Sequence, residues 1–215
     1  MEVNSIFSKF FNLDAEKQDI ILNAATKEFA QKGYRSASTN EIVKEAGISK
    51  GLLFHYFNSK KDLYLFLYDH FIEMFLEKIY ANIDWDEKDI FIRYRHIAVL
   101  KMELFQKYPE IFNFIKMVPT EDAPEVKQDL ENRNKEFINS SYSKMFGDID
   151  FSKFKEGIDI QKAIQIIYWT MEGFAYQQQE KVLGLNVDEI NLDEVFSQMD
   201  EYIEILKASF YKERS

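Results

Sequence analysis

No cysteine occurs among the 215 residues of this chain. A disulfide scaffold, a thiolate-zinc site, a cysteine nucleophile and a thiol redox sensor are therefore excluded. Long apolar runs are missing as well. The longest is Leu63–Tyr68, against the roughly 18 residues of a membrane span. The start, Met1-Glu2-Val3-Asn4, has no basic segment followed by an apolar stretch. No secretory signal is expected from it, and the expectation is a soluble, cytoplasmic protein. Glycine and proline are scarce, at 7 and 3 residues. Both interrupt regular structure, so their scarcity argues for helix. No Walker loop, dinucleotide glycine pattern or Gly-x-Ser-x-Gly is present, which removes the common nucleotide-binding and esterase signatures.

What remains is ordinary for a globular chain in bulk, with 46% hydrophobic and 30% charged residues. Aromatics are plentiful, at 20 Phe and 12 Tyr. The net charge is −10, but it is unevenly spread. Residues 27–61 hold seven basic side chains (Lys27, Lys32, Arg35, Lys44, Lys50, Lys60, Lys61) against three acidic ones (Glu28, Glu41, Glu45), a local +4. The remainder carries −14. A basic island on an acidic body suits a protein that meets a polyanion with one end.

Start and stop signals divide the chain into helices. Met1–Leu13, with Ile6, Phe7, Phe10 and Phe11, is either an ordered arm or an extra helical turn. Asp14 caps a helix whose stripe is Ile21, Ala25 and Phe29, ended by Gly33. Ser38 with Glu41 reads as a capping box for a short helix, Thr39–Ala46. Ser49 caps Lys50–Phe57, and Ser59 with Asp62 opens a long helix. Two short helices joined by Gly47-Ile48 have the spacing of a helix-turn-helix. Leu53 and Phe57 of the second short helix join the core. Its other side shows Lys50, Gly51, Phe54 and His55, flanked by Leu52 and Tyr56. Glycine permits close approach of a phosphate, and an apolar side chain can touch a thymine methyl.

These strings carry a resemblance. Phe29-Ala30-Gln31-Lys32-Gly33-Tyr34, Ser38-Thr39-Asn40-Glu41-Ile42-Val43, Ala46-Gly47-Ile48-Ser49-Lys50-Gly51, Leu53-Phe54-His55-Tyr56-Phe57 and Ser59-Lys60-Lys61-Asp62-Leu63 agree in order and spacing. Over residues 19–67 the chain resembles the DNA-binding domain of the TetR (tetracycline-repressor-like) family of bacterial transcription regulators. The resemblance implies that Thr39 contacts phosphate and that Ser49, Lys50 and Gly51 meet the backbone or a base edge. It also implies that Phe54 and His55 face the major groove, while Tyr56 and Lys60 hold phosphates. Tyr56 has a second reading as a packing residue. Leu52 stands where the family often has a polar residue, so apolar contact with a methyl replaces a hydrogen bond there.

The implied fold is all-α. An N-terminal three-helix helix-turn-helix DNA-binding domain spans 1–60, and a C-terminal helical effector-binding and dimerisation domain spans 61–215. Beyond residue 84 the residues give helices at Ile90–Tyr108, from Pro109, at Pro124–Phe146, at Asp159–Leu183 and from Asn191 to about Tyr211. Ile160, Ile164, Ile167, Met171 and Phe174 form one apolar strip, with Ala163, Ile166, Thr170 and Gly173 beside it. So wide an apolar arc is covered on more than one side, and the family implies a homodimer through the last two helices. Polar groups among apolar ones mark candidate ligand residues: His96 and Glu103 on one helix, and Glu172 among Tyr168, Trp169 and Tyr176 on another. The expected protein is not an enzyme and carries no cofactor or metal. It is a sequence-specific DNA-binding regulator, a homodimeric repressor released from a near-palindromic duplex by a largely apolar small molecule. The alternatives are a helical-bundle metalloenzyme and a protein-binding helical adaptor. The first needs paired Glu-x-x-His motifs, and the three histidines, His55, His70 and His96, offer only a reversed His70-x-x-Glu73.

Overall fold

The computed structural model describes residues 7–182 and 184–213. Among these residues the chain forms ten α-helices and no strand. In chain order they are α1 (Ser8–Phe11), α2 (Ala15–Ser36), α3 (Thr39–Ala46), α4 (Lys50–Tyr56) and α5 (Lys60–Asn82). Then follow α6 (Ile90–Lys107), α7 (Pro109–Met117), α8 (Lys127–Phe146), α9 (Ile160–Val182) and α10 (Leu192–Phe210). No described helix is long and apolar enough to cross a membrane. The chain divides into two compact units. Unit 1 is Met1–Lys78 with Phe105–Ser140, and unit 2 is Ile79–Leu104 with Ser141–Ser215.

Local signals set most helix ends. The Asp14 carboxylate accepts the Lys17 N–H at 3.0 Å and opens α2. Gly33 breaks α2 with φ +66°, a conformation that L side chains rarely adopt. Ser49 Oγ accepts the Leu52 N–H at 3.2 Å, and Ser59 Oγ accepts the Asp62 N–H at 3.0 Å. Pro109 occupies the first turn of α7, where no amide donor is needed. One expected cap is replaced. Ser38 makes no side-chain cap bond, and its N–H instead donates to Glu28 Oε1 at 2.8 Å. A buried carboxylate from α2 thus takes the place of the capping box with Glu41, because α2 and α3 pack together.

Of the N-terminal segment, Met1–Ile6 lie outside the described residues, and the expected extra turn is α1. Phe10 of α1 is fully buried, with ring centroids 4.9 Å from Phe57 and 5.4 Å from Phe66. The run Leu63–Tyr68, the most apolar stretch of the sequence, is buried at every position. A helix apolar on all sides must be enclosed on all sides, and α1, α2 and α7 supply walls in unit 1. Each large side chain so buried contributes about 1.5–3 kcal/mol.

Unit 2 is organised around a buried cation that the sequence patterns do not single out. Arg93 on α6 is 1% exposed. Its guanidinium donates to the Met145 carbonyl at 2.8 Å, to the Glu87 carbonyl and to the Asp148 carboxylate. Hydrogen bonds from Lys88 and Arg93 hold the Asp148 carboxyl down to about 2. The core face of α9 is Ala163, Ile167, Met171 and Phe174, and that of α10 is Met199, Ile203 and Leu206. The end of α10 is tied down by the Lys155 N–H, which donates to the Phe210 carbonyl at 2.9 Å.

Candidate nucleic-acid interface

The α3–α4 pair has helix-turn-helix geometry for local reasons. Gly47 adopts the left-handed conformation (φ +66°, ψ +28°), and the Ile48 N–H closes back onto the Val43 carbonyl at 3.0 Å. This closure ends α3 and redirects the chain within three residues. Ile42, Ala46, Leu53 and Phe57 are buried beneath it, which fixes how α4 is presented.

The residues expected on the outer side of α4 and at the start of α3 differ in exposure. Ser49, Lys50, Gly51, Leu52 and His55 are exposed, and Phe54 is half-buried. Thr39, at the first position of α3, is half-buried. Gly51 carries particular weight. A Cβ built there would meet nothing within 4 Å, so the fold itself does not require a glycine. Glycine in a helix costs up to about 1 kcal/mol relative to alanine. A position that accepts this cost with open space around it suits close approach by an outside group.

Two of the expected DNA contacts also have partners within the fold. Tyr56 is buried, its ring packed on Phe10, His55 and Phe57. The Lys60 ammonium donates to the Arg35 carbonyl at 3.3 Å and lies 4.8 Å from the centre of the Tyr34 ring. Its burial lowers its pKa.

The charge of the island is also redistributed by the fold. Lys27 pairs with Glu45 and Lys32 with Glu28, each at 2.9 Å. Lys61 pairs with Asp129 at 2.7 Å, and Arg35 approaches Asp122 at 3.9 Å. Glu121 Oε2 accepts the Tyr34 N–H at 2.7 Å, just after the Gly33 break. Three acids remote in sequence therefore join the basic segment within unit 1. Among the described residues, Lys44 and Lys50 of the island form no ion pair, and Lys50 stands beside Gly51 at the mouth of α4. Their charge is free to meet phosphate.

The candidate ligand residues fall in two groups. His96 and Tyr168 are half-buried, while Glu103 and Glu172 are exposed. Trp169 and Tyr176 are 60% and 59% exposed and stand on the open face of α9 rather than in a pocket. The reason is rotation. Neighbouring helix positions lie about 100° apart, so Tyr168 and Trp169 cannot share a face. Sequence reading missed Tyr142. Its hydroxyl and that of Tyr94 are buried without a hydrogen-bond partner. Each such orphan costs about 1–3 kcal/mol. The Tyr94 ring stacks on Phe146 at 4.3 Å, Tyr142 lies 5.1 Å from the same ring, and Tyr168 lies 4.9 Å from Tyr142. A cavity of about 180 Å³ opens elsewhere, in unit 1, over Phe7, Leu65 and Phe66 beside the Asp69–Arg133 ion pair. None of the candidate ligand residues lines it. Among the described residues, no group of three or more His, Asp or Glu side chains could hold a metal ion.

The comparisons with known proteins agree with this geometry. A family profile described as bacterial regulatory proteins, tetR family, matches residues 21–71. The chain is 33% identical over 126 residues to the uncharacterized HTH-type transcriptional regulator YuxN of Bacillus subtilis, spanning 59% of this chain and 42% of that one. It is 24% identical over 156 residues to a fatty acid metabolism regulator protein of the same organism, covering 71% and 78% of the two chains. The solved structure of the transcriptional regulator FadR from Bacillus subtilis, in complex with stearoyl-CoA, superposes with a TM-score of 0.58 at 18% identity. That superposition covers 86% of this chain and 95% of the other. Residues 21–71 thus carry the helix-turn-helix of the TetR family of bacterial transcriptional regulators, and the all-helical remainder is similar in fold to solved regulators of that family.

Proposed function

We propose that this protein is a homodimeric transcriptional repressor that reads a near-palindromic duplex with α4 and is released from it by a largely apolar small molecule. The observation that carries the DNA part is the exposed mouth of α4. There an unpaired Lys50 adjoins a glycine whose missing side chain nothing in the fold demands. Leu52 and Phe54, on the two flanks of α4, would touch base methyls.

The dimer is supported by a face on unit 2. Ile166, Trp169, Gly173 and Tyr176 recur at spacings of three and four along α9, and all are exposed. Tyr202 and Ile205 of α10 are 41% and 64% exposed. Apolar groups this large, in a row, suit a second copy of the chain. Two reading heads would then meet half-sites one helical turn apart, about 34–36 Å. The effector part is supported by the aromatic supply of unit 2 and by the stearoyl-CoA bound to FadR.

Selection from random duplexes tests the proposal. The selected sites are expected to have two-fold symmetry, and affinity is expected to fall steeply with salt as counterions are released. Phe54→Ala is expected to change the selected sequence. Lys60→Ala is expected to weaken all sequences alike. Flat salt dependence, or tight binding by a monomer, would overturn the reading.

A further inference from the structure

We infer that the Tyr94 and Tyr142 hydroxyls form the polar end of the effector site and donate hydrogen bonds to one uncharged acceptor oxygen, a carbonyl on an otherwise apolar ligand. The inference rests on the effector reading above and gives that effector a chemical class.

Three observations lead there. First, both hydroxyls are buried and neither has a hydrogen-bond partner, a state they share with Arg93 Nε, Ser141 Oγ and the Tyr211 hydroxyl. Second, they come from different helices, α6 and α8, and their rings pack on one side chain, Phe146. Each phenol influences its neighbours, since Tyr142, Tyr168 and Glu172 all act on Tyr94. Third, burial keeps these phenols protonated, pushing Tyr142 up to about 12 and Tyr94 higher still. A neutral phenol that lacks a partner offers an O–H donor, and a carbonyl oxygen can accept two such bonds.

The charge nearby selects among acceptors. Among charged groups, Glu172 acts on both Tyr94 and Tyr168, and it is exposed. A carboxylate or phosphate desolvated beside these two phenols would be opposed by this negative field. A ketone, ester, amide or thioester carbonyl would not. Tyr168, whose ring lies 4.9 Å from Tyr142, is half-exposed.

The test uses the full-length protein and two matched ten-carbon probes, butyrophenone and butylbenzene. Without ligand, Tyr94→Phe and Tyr142→Phe are each expected to melt at or above the parent temperature, because they delete an unsatisfied group. A fall of several degrees in either would show that its hydroxyl already has a structural partner and would overturn the inference. With ligand, the parent is expected to bind the ketone at least about tenfold more tightly than the hydrocarbon. Each variant is expected to lose about tenfold for the ketone and nothing for butylbenzene. Equal binding of the two probes, both releasing DNA, would leave the effector reading standing and remove this inference. Failure of both probes to bind or to change DNA affinity would remove this inference together with the effector reading. A preference for 4-phenylbutylamine over butyrophenone would give the polar role to Glu172 and overturn the carbonyl assignment.

Discussion

Helix α4 in unit 1 and helix α9 in unit 2 each present apolar side chains to solvent around a glycine. On α4 these are Leu52 and Phe54 around Gly51, and on α9 they are Ile166, Trp169 and Tyr176 around Gly173. In neither case would a Cβ meet anything within 4 Å. The two faces differ in their charges. Lys50 adjoins Gly51 with no ion pair among the described residues. Beside Gly173 stands Glu172, exposed. A glycine beside a free cation suits a phosphate backbone, and a glycine among aromatics suits another helix. On the proposed function, the same local anomaly would serve a nucleic acid in one unit and a second copy of the chain in the other.

The largest test of this contrast removes the apolar face of α9. Ile166→Asp combined with Trp169→Asp is expected to yield a folded monomer in sedimentation experiments. Affinity for a two-half-site duplex should fall by at least about a hundredfold, because the two heads no longer act as one bivalent ligand. A mutant that stays dimeric would show that the α9 face does not make the interface. Next in size is Lys50→Ala. It is expected to cost about tenfold in DNA affinity and to lower the salt slope by about one, without changing the dimer.

Smaller effects separate the two glycines. Gly51→Ala and Gly173→Ala are each expected to stabilise the folded chain by up to about 1 kcal/mol in urea unfolding, since both sites have room. Gly51→Ala should weaken DNA binding and leave dimerisation alone, and Gly173→Ala should do the reverse. If both variants weakened the same function, the two faces would not be distinct. The smallest effect concerns acid. The Asp148 carboxyl is lowered from 3.8 to about 2 by Lys88 and Arg93. A depressed carboxylate contributes stability above its unfolded pKa and loses it as pH falls through the folded one. The stability difference between parent and Asp148→Asn is expected to be constant above about pH 5 and to vanish between pH 4 and 2. The exposed half of Asp148 keeps this difference small. Acid titration followed by circular dichroism measures it.

The helix-turn-helix was legible because its signals are local. Asp14, Gly33, Gly47, Ser49 and Ser59 act on amides within a few residues of themselves, and each does so in the fold. One expected cap was not legible, because Glu28 of the neighbouring helix takes the Ser38 amide. Nor does a local rule supply the packing of Tyr56 on Phe10 or the bond from Lys60 to the Arg35 carbonyl. The unpartnered hydroxyls were the least legible, because no short-range rule says which of twelve tyrosines is buried without a partner.

By itself the sequence determined the helical class, the position of the turn at Gly47-Ile48 and the residues facing outward on α4. These follow from backbone permissiveness, capping and the 3.6-residue period, which act over less than two turns. Only the tertiary structure decided which cations of the basic island remain free. That depended on Asp122 and Asp129 arriving from far along the chain. It also decided that Arg93 is enclosed and that Tyr94 and Tyr142 both pack on Phe146. Coulomb pairing, desolvation and hydrogen-bond satisfaction depend on distance in space, and distance along the chain does not report it.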